Sequence, residues 1–150
     1  MSKTNYEKIC DFHGAIGPTP PTPTFPDLAT LQLRQTLIQE EYQEVMSALA
    51  ELTAVAAQTA TPDMSNLAHE LTDLLYVTYG TLAALGINAD ATFAEVHRAN
   101  MTKLGGPRRA DGKLLKPANW QPANVSAVIE QLKEGASAAD IVTGIEGRRP

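Results

Sequence analysis

Three observations on the sequence predict an all-α fold. From Asp27 to about Gln58 there is no Gly or Pro, and apolar residues recur at helical spacing through Leu31, Leu37, Ile38, Val45, Leu49, Leu52 and Val55. The period-two alternation of a half-buried strand appears nowhere, and neither do repeats or coiled-coil heptads. The residues are 43% hydrophobic but only 5% aromatic, with much Ala and Leu, a balance that suits helices meeting at small, close interfaces. A chain of 150 residues fits one compact domain with a single modest core.

Residues 3 to 14 carry Tyr6, Ile9, Cys10 and His13 at helical spacing and predict a short helix ending near Gly14. Residues 17 to 26 (GPTPPTPTFP) are too proline-rich for helix or central strand and predict an extended surface connector. It is read as a stiff linker, the sharper alternative being an arm that embraces a partner subunit. After the first long helix, Thr61 followed by Pro62 predicts an N-cap with proline at the first helical position. The second long helix then runs to about Leu85 and is closed by Gly86. A third starts at Asp90 or Thr92 and ends at Gly105-Gly106; residues 105 to 122 are loop. Residues 123 to 134 predict a short amphipathic helix stopped by Gly135, and Ser137 caps one or two further turns before a frayed tail.

Several function classes are disfavoured at this level. A net charge of -5 argues against nonspecific nucleic-acid binding. The lone Cys10 excludes an internal disulfide and a Cys-rich zinc site. No signal-peptide core and no apolar run of membrane-spanning length are seen, so a soluble, cytoplasmic protein without a membrane partner is expected.

The informative residues are Glu40, Glu41 and Glu44 (E-E-x-x-E), with Glu70 and Asp73 (E-x-x-D). On a wheel of ~100° per residue, Leu37, Val45, Ala48, Leu52 and Val55 fall within roughly 40° of Glu41. Glu41 is thus central to the apolar face, with Glu44 and Glu40 on one flank at roughly 60° and 100°. Gln35, Thr36, Gln39, Gln43 and Ser47 take the ordinary polar side. On the second helix Glu70 falls between Val77 and Leu74, and Asp73 lies just outside the arc. Burying an unpaired carboxylate costs several kcal/mol even after relaxation. Arg34, two turns before Glu41 on the same face, can neutralise one such charge but not five. A hard divalent cation, Mg²⁺ with Mn²⁺ as substitute, is the simplest compensation. The bland alternative is a set of glutamates reaching the edge of a bundle and pairing with Arg or Lys. A ferritin-like di-iron site needs Glu-x-x-His where this chain has Glu70-x-x-Asp73, and a zinc-protease helix needs H-E-x-x-H where it has H-E-L-T-D.

These motifs resemble those of the all-α nucleoside triphosphate pyrophosphohydrolases, which include MazG proteins, dimeric dUTPases and phosphoribosyl-ATP pyrophosphohydrolases. The likeness is carried by RQTLIQEEYQEV, ELTDLLYVTYG, FAEVHRANMTKL and DGKLLKPANWQP in that order, over roughly residues 4 to 122. It implies a MazG-like bundle of about four to five helices per chain completed by homodimerisation, with residues 1 to 122 as the domain; it does not explain the proline-rich connector or residues 123 to 150, which are read as a helical extension. It further implies Mg²⁺-dependent hydrolysis of a nucleoside triphosphate to monophosphate and pyrophosphate, in a house-cleaning role. Glu41, Glu44, Glu70 and Asp73 would be the metal ligands. Glu40 would be the general base, or a ligand to a second metal.

On the third helix, Asn100 and Lys103 at i, i+3 would face the phosphates, with Arg98 and His97 nearby on other sides. Arg108, Arg109, Lys113 and Lys116 place a third of the twelve basic residues within nine positions, where an acidic protein can hold a polyanion, a solvated loop being the plain alternative. Tyr76, Tyr79 and Trp120 can stack on a base, although packing is their commoner use. His13 is expected to be structural or at the surface. The first-choice substrate is dUTP or a related deoxynucleotide. Phosphoribosyl-ATP-type activity, and an inactive nucleotide-binding or interaction bundle, are the alternatives.

Overall fold

The computed structural model describes residues 2–56 and 61–147. Among them are six helices and no strand: α1 (Asn5–Ile16), α2 (Leu28–Ala56), α3 (Ser65–Ala84), α4 (Ala89–Met101), α5 (Val125–Lys133) and α6 (Ala138–Glu146). None is long and apolar enough to cross a membrane. The all-α expectation holds, and several helix ends differ from those read off the sequence.

α1 begins with a reciprocal capping box, in which the Thr4 side chain accepts the Glu7 N–H and the Glu7 carboxylate accepts that of Thr4. It runs through Gly14, where a stop was expected, because nothing there needs a left-handed backbone. The stop comes at Gly17, ahead of Pro18, which disfavours the α conformation for the residue before it. The expected cap at Thr61 and Pro62 also moves. α3 starts at Ser65, and Asp63 accepts both the backbone N–H and the hydroxyl of Ser65 at 2.9 and 2.7 Å. The expected end of the first long helix near Gln58 lies outside the described residues. α4 starts earlier than predicted: Asn88, not Asp90 or Thr92, caps it by accepting the Ala91 N–H at 3.0 Å. Asp90 instead accepts the Thr4 hydroxyl at 2.7 Å, joining the starts of α1 and α4. Ser137 caps α6 as expected, but the helix runs nine residues. The frayed Gly- and Arg-containing tail expected after one or two turns is still helix up to Glu146, and its last residues, 148 to 150, lie outside the described residues.

The proline-rich connector is packed on the chain itself. Thr24 donates its N–H to the carbonyl of Leu85 at 2.9 Å, and the Thr22 carbonyl lies 2.1 Å from where a side chain on Gly86 would start. Gly86, at φ +66°, both closes α3 and lets the connector approach.

α2 and α3 pack along each other, and α1 lies on α3. Tyr6, Ile9, Ala83 and Ala89 form one core cluster, with Cys10, Tyr79 and Leu82 against it. Ala91, Val128, Leu132, Ile141 and Ile145 form another, where α5 and α6 dock on α4. Buried Glu95 ties this second unit together. Arg98 donates to it through Nε and Nη2 at 2.9 and 2.7 Å, and the Asn124 N–H donates at 2.8 Å as α5 begins. Arg98 is therefore committed here rather than to phosphates. His13 is buried, as a structural residue, beside Gly80, where an added Cβ would stand 2.7 Å from its Nε2.

Two outcomes follow. Gly86→Ala should lower stability by at least about 1 kcal/mol through left-handed strain and collision with Thr22, read as a lower urea midpoint. Burial first, and then the Arg34 charge, hold the His13 pKa below its ordinary 6.5. The unfolded chain therefore takes up this proton more readily, so the stability is complete above about pH 6.5 and is lost as pH falls through the depressed folded-state value. A His13→Gln variant should flatten that part of the stability-against-pH curve; an unchanged slope would refute the assignment.

Candidate active site

The apolar face of α2 forces its acid inward. Val45 and Ala48 are buried and Leu37, Leu52 and Val55 half-buried, so Glu41, on the same face, is drawn into the α2–α3 seam. Its Oε2 is buried without a hydrogen-bond partner among the described residues. Glu44 lies one turn on at the exposed flank, and Glu70 arrives half-buried from α3. One carboxylate oxygen from each of Glu41, Glu44 and Glu70 lies within 4.8 Å of the other two. Burial, and then the charges of Glu44, Asp73 and Glu70, push the Glu41 carboxyl above the usual carboxylate range.

Asp73 stands at the edge of this triad. It adds its field to Glu41, but its carboxylate is turned to His69 Nε2 at 3.1 Å, one turn back on α3. Glu40 is exposed and lines an open cavity of about 330 Å³ together with Gln43, Glu44, Ser47, Glu51, Asn66 and Glu70. Glu51 and Asn66 are polar neighbours that the sequence reading did not single out. Their spacing, i+7 from Glu44 and i−4 from Glu70, was the available signal. A larger cavity of about 420 Å³ lies between α4 and α6, lined by Ala94, His97, Arg98, Met101, Leu104, Ile145 and Glu146. Its size does not make it the chemical site, because it gathers no set of convergent oxygen ligands.

Arg34 does not neutralise the triad. No ion pair joins it to Glu41 among the described residues. Its guanidinium approaches Gly80 and His13 instead, with Nε buried and without a hydrogen-bond partner among the described residues. The physical reason is the lean of helical side chains toward the N-terminus, which carries Arg34 away from a glutamate two turns C-terminal to it.

The basic candidates gather elsewhere. Lys103 donates to the Asn100 side-chain carbonyl at 2.6 Å, so the expected i, i+3 pair meets. Neither lines the acidic cavity. Arg109 is tied to Asp111, its Nε donating at 2.9 Å, and Lys113 gives its backbone N–H to the same carboxylate. Lys116 lies over the Trp120 ring, 4.2 Å from its centroid. Tyr76 packs edge-on against Phe12 and Tyr79 against the first core, so both serve packing.

A cluster of three carboxylates with one orphaned, buried oxygen suits a hard cation that takes oxygen ligands and retains water. In the metal-free protein, Glu41→Gln should raise stability by roughly 1 kcal/mol, by removing a charge with no counterpart. Added divalent cation should raise the melting temperature of the wild type and not that of the variant; equal shifts in both would count against the triad as ligand.

Residues 9–100 match the model of the phosphoribosyl-ATP pyrophosphohydrolase family. The match takes in α2, α3 and nearly all of α4, hence all five acidic candidates and Asn100. No curated protein matches the chain. The chain belongs to the phosphoribosyl-ATP pyrophosphohydrolase family, within the MazG-like all-α superfamily, and is a pyrophosphohydrolase acting on an acid anhydride.

Proposed function

We propose that this pyrophosphohydrolase is Mg²⁺-dependent, accepts Mn²⁺ in its place, and converts a nucleoside triphosphate and water to the monophosphate and pyrophosphate. The observation that carries this reading is the unpartnered Glu41 Oε2 beside oxygens of Glu44 and Glu70. Glu41, Glu44 and Glu70 hold the ion, and Asp73 joins them when its carboxylate leaves His69. The ion, when bound, neutralises the phosphates and lowers the pKa of a coordinated water. Glu40, in the same cavity as Glu44 and Glu70, orients the attacking water and accepts its proton. The water oxygen bonds to the α-phosphorus, the bond from that phosphorus to the bridging oxygen breaks, and pyrophosphate leaves.

Asn100, Lys103, Arg109, Lys113 and Lys116 are assigned to the anionic substrate, with Arg109 the weakest because Asp111 already matches its charge. Two substrates are proposed: dUTP or a related deoxynucleotide, on the motif pattern, and phosphoribosyl-ATP, favoured by the family match. A homodimer is favoured by the apolar surface left open on α2 and α3. Leu28, Tyr42 and Met46 on α2 and Leu71 and Leu75 on α3 are large apolar side chains left exposed, surface that a second copy would cover. Residues 1 to 122 form the catalytic domain and 123 to 150 an extension, of which α5 and α6 dock on α4, and the enzyme works in the cytoplasm.

Pyrophosphate release should appear with Mg²⁺ or Mn²⁺ for some member of a panel containing dUTP, the other nucleoside triphosphates and phosphoribosyl-ATP, and should vanish in EDTA. Metal-independent release, or none with any substrate, would sink the reading. Glu40→Gln should lose at least about 100-fold in turnover while still binding nucleotide. Glu41→Gln should lose turnover together with metal affinity.

A further inference from the structure

Arg34 is a cation without a counter-charge. It lies half-buried where α2 faces Gly80 of α3 and His13 of α1, and no carboxylate pairs with it among the described residues. Burial alone acts on its pKa and lowers it, so no neighbouring anion offsets the cost of desolvation. Its Nε is buried without a hydrogen-bond partner among the described residues, and an unmet donor in such a place is destabilising. His13, buried, stands beside it and feels its charge. Gly80 makes room for both: a Cβ there would stand 2.7 Å from His13 Nε2 and 3.5 Å from Arg34 Nη1. Glycine inside a helix is otherwise a poor choice, so this space is kept against helix propensity.

Both side chains line a cavity of about 350 Å³ beside the proline-rich connector, walled by Ile16, Pro20, Pro26 and Ala84. The acid on its rim, Asp27, is exposed and already accepts the Thr30 N–H at 2.7 Å. Such a volume is that of a small-molecule pocket, far more than a lone ion fills. A guanidinium matches an oxyanion through two parallel N–H bonds. Arg98 shows the arrangement within this chain, holding Glu95 through Nε and Nη2. With Nη1 turned to Gly80, Arg34 has that same edge unspent.

We propose that this cavity binds a small organic anion, a carboxylate or phosphate monoester on an apolar body, with Arg34 taking the charged group and the proline walls the remainder. The inference goes beyond the hydrolytic reading and needs no metal. Arg34 precedes Glu41 by seven residues, about 10 Å along α2, so the ligand occupies ground apart from the carboxylates. Because Nε is closed to solvent, the ligand meets it through a turn of the arginine side chain between staggered rotamers. An anion there also screens His13 from the Arg34 charge, so the imidazole reports on binding.

Phenyl phosphate and benzoate, each an oxyanion on an apolar ring, serve as probes when titrated into the protein in EDTA. At least one should bind saturably by calorimetry, and the tighter of the two identifies the anionic group. Binding should move the His13 ring signals in NMR spectra, assigned through their loss in His13→Gln. Arg34→Met should weaken binding by at least about tenfold, and Arg34→Lys nearly as much, because an ammonium lacks the planar fork. Arg34→Met removes an uncompensated charge and should melt no lower than wild type, so that lost binding is not lost fold. Glu41→Gln should bind the probes as wild type does, which separates this site from the carboxylates. Inorganic phosphate, without the apolar body, should bind about tenfold more weakly than phenyl phosphate. Equal binding of uncharged benzamide or uridine, unchanged affinity in Arg34→Met, or no saturable binding of either probe would overturn the proposal, even in an active enzyme.

Discussion

The crowding of Glu41 against Glu44 and Glu70 in the α2–α3 seam is the constraint on which the rest depends. Glu41 cannot turn outward, because Val45 and Ala48 on the same stripe are buried against α3 and a helix rotates as a whole. Apolar burial along two long helices therefore holds the carboxylates together against their own repulsion, with the oxygens already collected for a cation. Binding then costs little reorganisation of the backbone, since both helices are in place for packing reasons alone. The tension is stored at these carboxylates, and it is the packing of the whole seam that sustains it.

What could be read from the sequence is what rigid helical geometry dictates. The wheel put Glu41 among Val45 and Ala48, and it lies there; it put Glu44 and Glu70 beside it, and their oxygens meet. A wheel gives an azimuth, however, and says nothing about lean or rotamer. Arg34 shares the azimuth of Glu41 yet leans toward His13, and Asp73 neighbours Glu70 by spacing yet turns to His69. Helix starts were misplaced wherever two capping residues competed, Thr61 against Asp63 and Asp90 against Asn88. Asp63 bonds the first residue of α3 without being its N-cap, and Asp90 is taken by the Thr4 hydroxyl, which leaves Asn88 to cap α4. The bond from Trp120 to Ala99, across twenty-one positions, carried no local signal.

Charge of opposite sign is kept in separate places. Acidic groups are concentrated on the α2–α3 seam, and Lys103 and Lys116, which form no carboxylate pair among the described residues, stand by Trp120, after α4. Had Lys103 or Arg34 reached Glu41, an internal ion pair would have satisfied the buried oxygen and removed the reason to bind a metal. The separation leaves each group wanting something external, and a metal–nucleotide complex supplies both signs in one ligand.

α4 is a thin partition shared by two interiors. Ala89 belongs to the cluster with Tyr6 and Ile9, while Ala91 belongs to the one with Val128 and Ile141. Residues two apart on a helix point in nearly opposite directions, about 200° around the axis. Only small side chains permit helices to close in on both sides, and neither interior keeps its wall if this helix melts. The two clusters should thus lose order in one cooperative step rather than in succession, which makes the C-terminal helices part of the fold's cooperativity although the family match stops before them.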